Sequence, residues 1–551
     1  MSIEHSPAIA RLSLNWTERT NVQTRNGIRI LLTARLTDPA FWTIWRRNKG
    51  ELKEQGYAPS RAFDDSWLLN RWIPMDGIVA NTQEQAAPAL LDVGGVDTTG
   101  LPPQQVQEDA PDRMGQSDAI DPAGLMAWQV EHAGRIVNCL RQNRVALDAS
   151  DVGTGKTYSA IAAFKHLGLR PLVVCPLAVI PSWHRAAKHF GVELDCINYE
   201  MLRMGKTKWG HFTDDKKMFK FTGINSDGGI VFDEVHRCKG SNSLNSKLLL
   251  GAKAQGFVTL SLSATAFTNP TEMKAIGTSL GLFAPNKHWG WCLDNGCNKG
   301  RWGGMDFVGT RQDLLKVHRS IFPSKGARIK VADLGSLFPK NHIVTRLVHV
   351  NEPGRKKIDK AIQAARDAVA RIGEKSLRDT DSVLTLILRA RQIAEAEKIP
   401  AMGEIVADAV TQGHSVVVFV NFHDTLMSLL GVLESFKPEA IHGQQKGDER
   451  EIAIAKFQAN KTKVIIANSA AGGVGISLHD LYGGHPRMSL ISPSHSAMMT
   501  EQLLGRIHRA EGKSTAFQQF LFAAGTIEED IAAKTDAKRK NMQVLNDGDY
   551  L

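Results

Sequence analysis

Three groups of residues in this sequence have the types and spacings needed to handle a phosphate anion. The first is ASDVGTGKT, residues 149–157, where Gly153 and Gly155 interrupt a loop ahead of Lys156 and Thr157. An apolar run, Val145–Leu147, precedes it and the helix-like TYSAIAAF follows. A loop between a strand and a helix turns backbone N–H groups and the positive end of the helix dipole toward an anion. Glycines let that backbone curl around phosphate oxygens, the lysine reaches the terminal phosphates, and the threonine hydroxyl can ligate Mg²⁺. Gly153, Thr154, Gly155, Lys156 and Thr157 are therefore candidate nucleotide-binding residues, although Ser150 stands where the strict eight-residue pattern has glycine. The second group is GGIVFDEVHRCKG, residues 228–240, a strand that ends in Asp233–Glu234. Carboxylates at the C-terminal edge of a parallel sheet lie where such folds bind ligands. Asp233 would hold Mg²⁺, and Glu234 would position and deprotonate an attacking water. The third is EQLLGRIHRAEGK, residues 501–513. Drawn as a helix, it puts Gln502, Arg506 and Arg509 at i, i+4 and i+7 on one face. Two guanidiniums aimed at a phosphate stabilise the charge that develops in phosphoryl transfer. Each group alone has a plainer explanation: a glycine-rich turn, a solvated strand end, an exposed basic helix.

Elements able to position these groups recur along the chain. The short apolar runs RVALDAS, PLVVCP, GGIVFDE and VTLSLSAT are separated by helix-like stretches, and SVVVFVNF, KVIIANS, MSLIS and AFQQFLF form a second series. Continuous apolar strands alternating with helices predict parallel sheets covered on both faces. The expected fold is α/β, with two tandem RecA-like parallel-sheet lobes and a small N-terminal domain. The expected organisation is an accessory domain over 1–79, an acidic linker or long loop over 80–118, lobe one over 119–345, a helical connector over 346–400, and lobe two with a terminal helix over 401–551. The accessory domain holds Trp16, Trp42, Trp45, Trp67 and Trp72, which read as its core; GIRILLTARL reads as a strand and a helix is predicted to open at Asp38.

With 551 residues the chain calls for two to four domains. A hydrophobic share of 42% and a charged share of 23% exclude a disordered or fibrous class. No apolar run approaches a membrane span, and the first residues lack a secretory pattern. Six scattered cysteines fit reduced thiols. The expected location is cytoplasmic in a prokaryotic or phage-infected cell, and nuclear in a eukaryote. The net charge of +10 attracts phosphate-rich partners. It is uneven, since between residues 80 and 124 eight acids face Arg113 alone, which leaves the rest more basic.

In their order, these pieces resemble the helicase-like ATPases of superfamily 2, most closely the Swi/Snf branch of DNA translocases, over residues from about 128 to 545. MAWQVEHA is similar to the family's entry motif, ASDVGTGKT to its phosphate loop, INYEMLR and PLVVCPLAVIPSWHRAAKHFG to strand-contacting segments, DEVH to its D-E-A-H, and LSATAFTNPTEM to its coupling motif. VVVFVNFHDTL, IHGQQKGDERE, ANSAAGGVGISL and EQLLGRIHR follow in the family's order, and GTIEEDI opens a terminal helix with Thr526 and Glu529 at capping-box spacing. The resemblance implies that ATP is the nucleotide, that Gln129 reads adenine, and that Gly475 also touches the nucleotide. It implies coupling roles for His236, Ser263 and Thr265. It carries nucleic-acid contact onto Pro176, Ser182, Trp183, Tyr199, His442, Ser469, Gly472 and Gly473. The chain departs from the branch at Ser263–Ala264–Thr265, where Gly–Thr–Pro is usual, and at Ala510–Glu511–Gly512 after His508–Arg509.

The function implied is an ATP-driven translocase on duplex or branched DNA. A strand-separating DNA or RNA helicase is the alternative, and a nucleotide-dependent clamp without turnover is a third reading. The N-terminal domain would recognise a substrate or protein partner. The stretch 286–304 holds His288, Cys292 and Cys297, beside Trp289, Trp291, Lys299, Arg301 and Trp302. It reads as a packed surface loop, as a nucleic-acid contact, or, with Cys238, as a zinc site.

Overall fold

The computed structural model describes residues 16–24, 27–36, 52, 57–61, 67–74 and 117–548, apart from 216, 226–227, 241, 301–303, 373–379, 446 and 474. The chain divides into two compact units, Met1–Ala89 and Leu90–Leu551. The first is an antiparallel sheet in which Gly27–Leu36 pairs with Trp16–Thr24 on one side and Trp67–Pro74 on the other, with Tyr57–Arg61 at the edge. GIRILLTARL is thus a strand, while the helix expected at Asp38 and the acidic stretch up to residue 116 lie outside the described residues.

The second unit holds two all-parallel, six-stranded sheets. Lobe one contains β1 (Val145–Asp148), β2 (Arg170–Cys175), β3 (Asp195–Asn198), β4 (Gly228–Asp233), β5 (Val258–Leu262) and β6 (Gly326–Ala327), in the order β6-β1-β5-β4-β2-β3. Alternate side chains of a strand face opposite ways. Leu172, Val174, Ile230 and Phe232 accordingly enter one buried cluster, while Val173, Cys175 and Val231 enter the cluster on the other face. Both faces being covered is why these strands are apolar throughout. Asp148 of β1 and Asp233 of β4 are both in register with Leu262 of β5. The loops that follow these three strands therefore leave the sheet side by side. They are the phosphate loop, the Asp–Glu turn and the Ser263–Thr265 segment.

Lobe two repeats the plan with β7 (Asn341–Val348), β8 (Ser415–Val420), β9 (Glu439–Ile441), β10 (Val464–Asn468), β11 (Arg487–Ile491) and β12 (Ala516–Ala523), in the order β7-β12-β11-β8-β10-β9. Val416, Val418 and Val420 pack on one face, and Val417 and Phe419 on the other. The boundary drawn at residue 345 needs correction, because Asn341–Val348 is an edge strand of this second sheet, paired in parallel with β12. Its side chains are mostly half-buried or exposed, so it lacks the apolar run that marks the central strands. Two connector helices, Glu352–Ile372 and Thr380–Ala396, pack on each other through Ile358, Ile362, Ala390 and Ala394.

The terminal helix α1 (Ile527–Asp547) starts on lobe two and ends in lobe one. Thr526 caps it by accepting from Glu528 N–H, and Glu529 accepts from Gly525 N–H. At the far end Val544 and Leu545 are fully buried in the lobe-one core. Asn546 donates to Ala264 O at 3.1 Å, and Arg328 pairs with Asp547.

At the start of this helix Lys398 is wholly buried, with Nζ 2.8 and 2.9 Å from the two carboxylate oxygens of Glu528 and 2.9 Å from Leu521 O. Removing one partner of such a pair leaves a buried charge uncompensated, at a cost of about 3–5 kcal/mol. Lys398→Ala is therefore expected to lower the thermal midpoint of lobe two markedly by calorimetry, and Lys398→Met with Glu528→Leu to recover most of the loss. Equal midpoints for wild type and Lys398→Ala would contradict this account of the helix anchor.

Candidate active site

The phosphate loop is built as its residues dictate. Gly155 has φ of 90° and N-caps the helix Lys156–His166 in the left-handed region, where a β-carbon would also strike the amide of Gln129. Ser150 replaces the glycine of the strict pattern because its hydroxyl is used. It accepts from Ile329 N–H at 2.9 Å and lies 3.1 Å from His132 Nε2. His132 also approaches Asp148 at 3.2 Å, in a cluster that sequence spacing gave no means to find. Lys156 donates to Ser150 O and Asp151 O at 2.7 and 3.0 Å. Burial lowers its pKa against the pull of Asp148, Glu234 and Asp233.

Gln129 is buried, and its amide is engaged by backbone. Nε2 donates to Thr154 O at 2.9 Å, while Oε1 accepts from Met126 N–H at 2.9 Å. It thereby fixes the loop as well as lining the adjoining cavity. That cavity, about 630 Å³, is lined from lobe one by Gly124, Met126, Gln129, Gly153–Gly155, Thr157 and Tyr158, and from lobe two by Ser477, His479 and Arg509.

The two carboxylates sit behind the loop. Asp233 accepts from Trp183 Nε1 at 2.8 Å and from Glu234 N–H at 2.9 Å. Burial and the neighbouring Glu234 raise its pKa to about 6, against Trp183 and Lys156. Glu234 turns off the strand at φ of 53°. Burial works to raise its pKa, but His236, Lys156 and Arg506 outweigh it and hold the carboxylate below the ordinary range. His236 Nδ1 lies 3.3 Å from Glu234 Oε2 and 3.1 Å from Ser263 Oγ, which in turn accepts from Thr265 N–H at 3.1 Å. The three residues assigned to coupling thus form one chain from the acidic pair to the Ser263–Thr265 segment.

Lobe two closes the site. Gln502 Nε2 donates to Glu234 Oε2 at 3.4 Å, across the lobes. Arg509 reaches Gly153, whose absent β-carbon would lie 3.3 Å from Arg509 Cγ. The expected continuous helix is corrected here. It spans Ala497–Leu504, and Gly505 ends it against Val152, where a side chain would collide. Arg506 and Arg509 therefore lie beyond the helix and are aimed by the turn. Arg506 donates to Gln502 O and Ile476 O at 2.8 and 3.0 Å, and Arg509 donates to Ile476 O at 3.0 Å. Burial, Arg509 and Arg450 push the Arg506 pKa down to about 9, and burial brings Arg509 to about 10. Two guanidiniums in a desolvated cleft with few counter-charges form a site for an anion.

The residues assigned to nucleic acid are placed differently. Trp183 and Tyr199 are buried, 1% and 0% exposed, and serve Asp233, the first through its carboxylate and the second by donating to the backbone oxygen at 2.9 Å. Pro176, Ser469, Gly472 and Gly473 are also buried. Ser469 donates to Val420 O, and Gly472 leaves room for Ala467 and Phe419. Ser182 faces the nucleotide-sized cavity. His442 is half-buried beside His423. Pro176, Trp183, Tyr199, Ser469, Gly472 and Gly473 are thus packed inside, whereas Ser182 and His442 keep part of their surface exposed. Gly475, assigned to the nucleotide, instead abuts lobe one, its absent β-carbon 2.6 Å from Val179.

In the 288–299 stretch, Cys292 Sγ lies 3.2 Å from His288 Nε2 and 3.6 Å from Pro270 O. Cys238 is buried elsewhere, near Tyr199. Among the described residues no group of three or more His, Cys, Asp or Glu is arranged to hold a metal ion. Trp289 is exposed, Trp291 packs on Phe283, and Arg301 and Trp302 lie outside the described residues.

Residues 397–511 match the family model described as helicase conserved C-terminal domain. Over 461 residues the chain is 32% identical to a protein of Acanthamoeba polyphaga mimivirus described as "Putative ATP-dependent RNA helicase L364", covering 78% of this chain and 84% of that protein. It is 22% identical over 475 residues to chromodomain-helicase-DNA-binding protein 1-like of Mus musculus, covering 77% of this chain and 50% of the mouse protein. Among solved structures, the Sulfolobus solfataricus SWI2/SNF2 ATPase core in complex with dsDNA shares 16% identity and a TM-score of 0.31, covering 78% of this chain and 96% of that one. Two parallel-sheet lobes, a phosphate loop facing paired arginines, and identity running through most of the mimiviral protein lead to one conclusion: the chain belongs to the superfamily 2 helicase-like ATPases.

Proposed function

We propose that this helicase-family ATPase is a translocase that couples ATP hydrolysis to movement along duplex DNA. The observation that carries the reading is the split site, with the Lys156 loop and the Asp233–Glu234 pair on one sheet and two guanidiniums, buried Arg506 and half-buried Arg509, facing them from the other. In the proposal Lys156 and Arg509 neutralise the triphosphate, and Arg506 adds positive field beside Glu234. Glu234, kept ionised by His236 and Lys156, orients the attacking water, and Gln502 fixes the carboxylate from across the cleft. Thr157 and Asp233 would hold Mg²⁺, a hard cation suited to hydroxyl and carboxylate oxygens, and burial of Asp233 gives that carboxylate a need for a cation. When bound, the ion would neutralise phosphate charge.

A nucleotide contacting both lobes binds the closed arrangement more tightly than the open one, so hydrolysis changes the balance between them. Residues gripping a strand on each lobe would then step along it. Exposed Arg203, Lys206 and Lys208, directly after the buried Tyr199, offer phosphate contacts on lobe one. The order of motifs supports DNA. A strand-separating RNA helicase is the second reading. It is favoured by the Ser263–Ala264–Thr265 segment and by the mimiviral relative's description as an RNA helicase.

Comparing turnover with duplex DNA, single strands and RNA decides between them. The proposal expects the largest stimulation with duplex DNA, falling steeply with salt; equal or greater stimulation by RNA would reject it. Lys156→Ala and Glu234→Gln should each reduce hydrolysis by at least about a hundredfold, the latter with ATP binding retained in a filter assay. Turnover near wild type in either variant would remove the assigned role. Arg509→Ala should cut kcat by a similar factor of about a hundred with a smaller change in KM; a change confined to KM would mean that the guanidinium serves binding alone.

A further inference from the structure

His479 follows the ANSAAGGVGISL segment and is 4% exposed. Among the buried groups of the described residues it is the histidine whose two ring nitrogens, Nδ1 and Nε2, both lack a hydrogen-bond partner. A buried polar side chain is ordinarily satisfied, so an imidazole without partners calls for an explanation. It lines the same cavity as the phosphate loop and Gln129, entering from lobe two beside Ser477 and Arg509. The other histidine in that lining is accounted for, since His189 Nε2 lies 3.0 Å from Gly124 O.

The ring is also electrically defined. Burial, with the guanidiniums of Arg509 and Arg487 opposing Asp480, pushes its pKa down to about 4. It is therefore neutral at pH 7, with one N–H donor and one nitrogen acceptor. A neutral imidazole adds nothing to the charge matching of a triphosphate, which Lys156 and Arg509 already provide. It suits a hydroxyl, which both donates and accepts. In a nucleoside triphosphate the hydroxyls sit on the ribose, next to the phosphates and therefore next to the loop that Arg509 faces.

We propose that His479 is a specificity-determining residue of lobe two that hydrogen-bonds a ribose hydroxyl of the nucleotide, so that the enzyme selects ribonucleotides over deoxyribonucleotides only when the lobes are together. The inference rests on the ATPase reading and deepens it. A site built to pair with a hydroxyl penalises the substrate that lacks it, because the buried partner is then left unsatisfied.

The test is steady-state hydrolysis of ATP, 2′-deoxy-ATP and 3′-deoxy-ATP by wild type, His479→Ala and His479→Asn. Wild type should favour ATP over one deoxy analogue by about tenfold in kcat/KM, mainly through KM. His479→Ala should bring that ratio to within about twofold by weakening ATP alone, and His479→Asn, which keeps a donor and an acceptor, should restore part of it. A ratio unchanged in His479→Ala, or ATP and both analogues falling together, would overturn the ribose contact while leaving the ATPase intact. Hydrolysis of none of the three by wild type would instead overturn the ATPase reading on which the contact depends.

Discussion

The structure depends on the close approach of two sheets that each carry half of a charged site. Lobe one supplies Lys156, Asp233 and Glu234, and lobe two supplies Gln502, Arg506 and Arg509. Their juxtaposition requires backbone to meet side chain at the seam, as Gly505 does against Val152 and Gly153 does against Arg509. Side chains at these positions would hold the lobes apart and let water screen the guanidiniums. Because the cleft is desolvated, the charges on either side act at a strength that they would not have in bulk water. The same desolvation leaves the arginines short of counter-charge, so an anion between the lobes relieves a cost that the closed arrangement otherwise carries.

A second set of contacts joins the lobes through the chain rather than through a ligand. Helix α1 begins under the Lys398–Glu528 pair and ends with Leu545 in the lobe-one core. There Arg328 contacts Ala149 O and Asp547, and pairs with Asp151 at 2.8 Å. Asp151 also supplies a backbone oxygen to Lys156. One half-buried guanidinium therefore links the end of the terminal helix to the entrance of the phosphate loop. Asn546 links the same helix end to the Ser263–Thr265 segment through Ala264 O at 3.1 Å. Displacement of lobe two thus bears on both the loop that holds phosphate and the segment wired to Glu234.

The parts of this arrangement legible in the sequence are those whose chemistry is local. The central strands announce themselves because both faces are buried, and the phosphate loop and acidic turn because residue type and spacing suffice. The edge strands Asp195–Asn198, Glu439–Ile441 and Asn341–Val348 are short or partly exposed and leave little pattern to read. Trp183 and Tyr199 show a different limit. Their motif places them correctly in the chain, but whether an aromatic ring faces a strand of nucleic acid or backs a carboxylate is decided by packing. Gly505 was visible as a residue but not as the end of a helix, since the obstacle, Val152, lies in the other lobe. Ser150, Arg328 and His479 draw their meaning from partners, or from the lack of them, that only the folded chain brings near.

The central claim is that nucleotide draws the two halves together and that its hydrolysis releases them. The most direct measurement is the distance between spin labels on exposed positions of the two lobes, such as His166 and Glu434, by pulsed electron resonance. The distribution with a non-hydrolysable ATP analogue should be narrow and short, and that with ADP broader and longer. Identical distributions with the analogue, with ADP and without nucleotide would contradict the account.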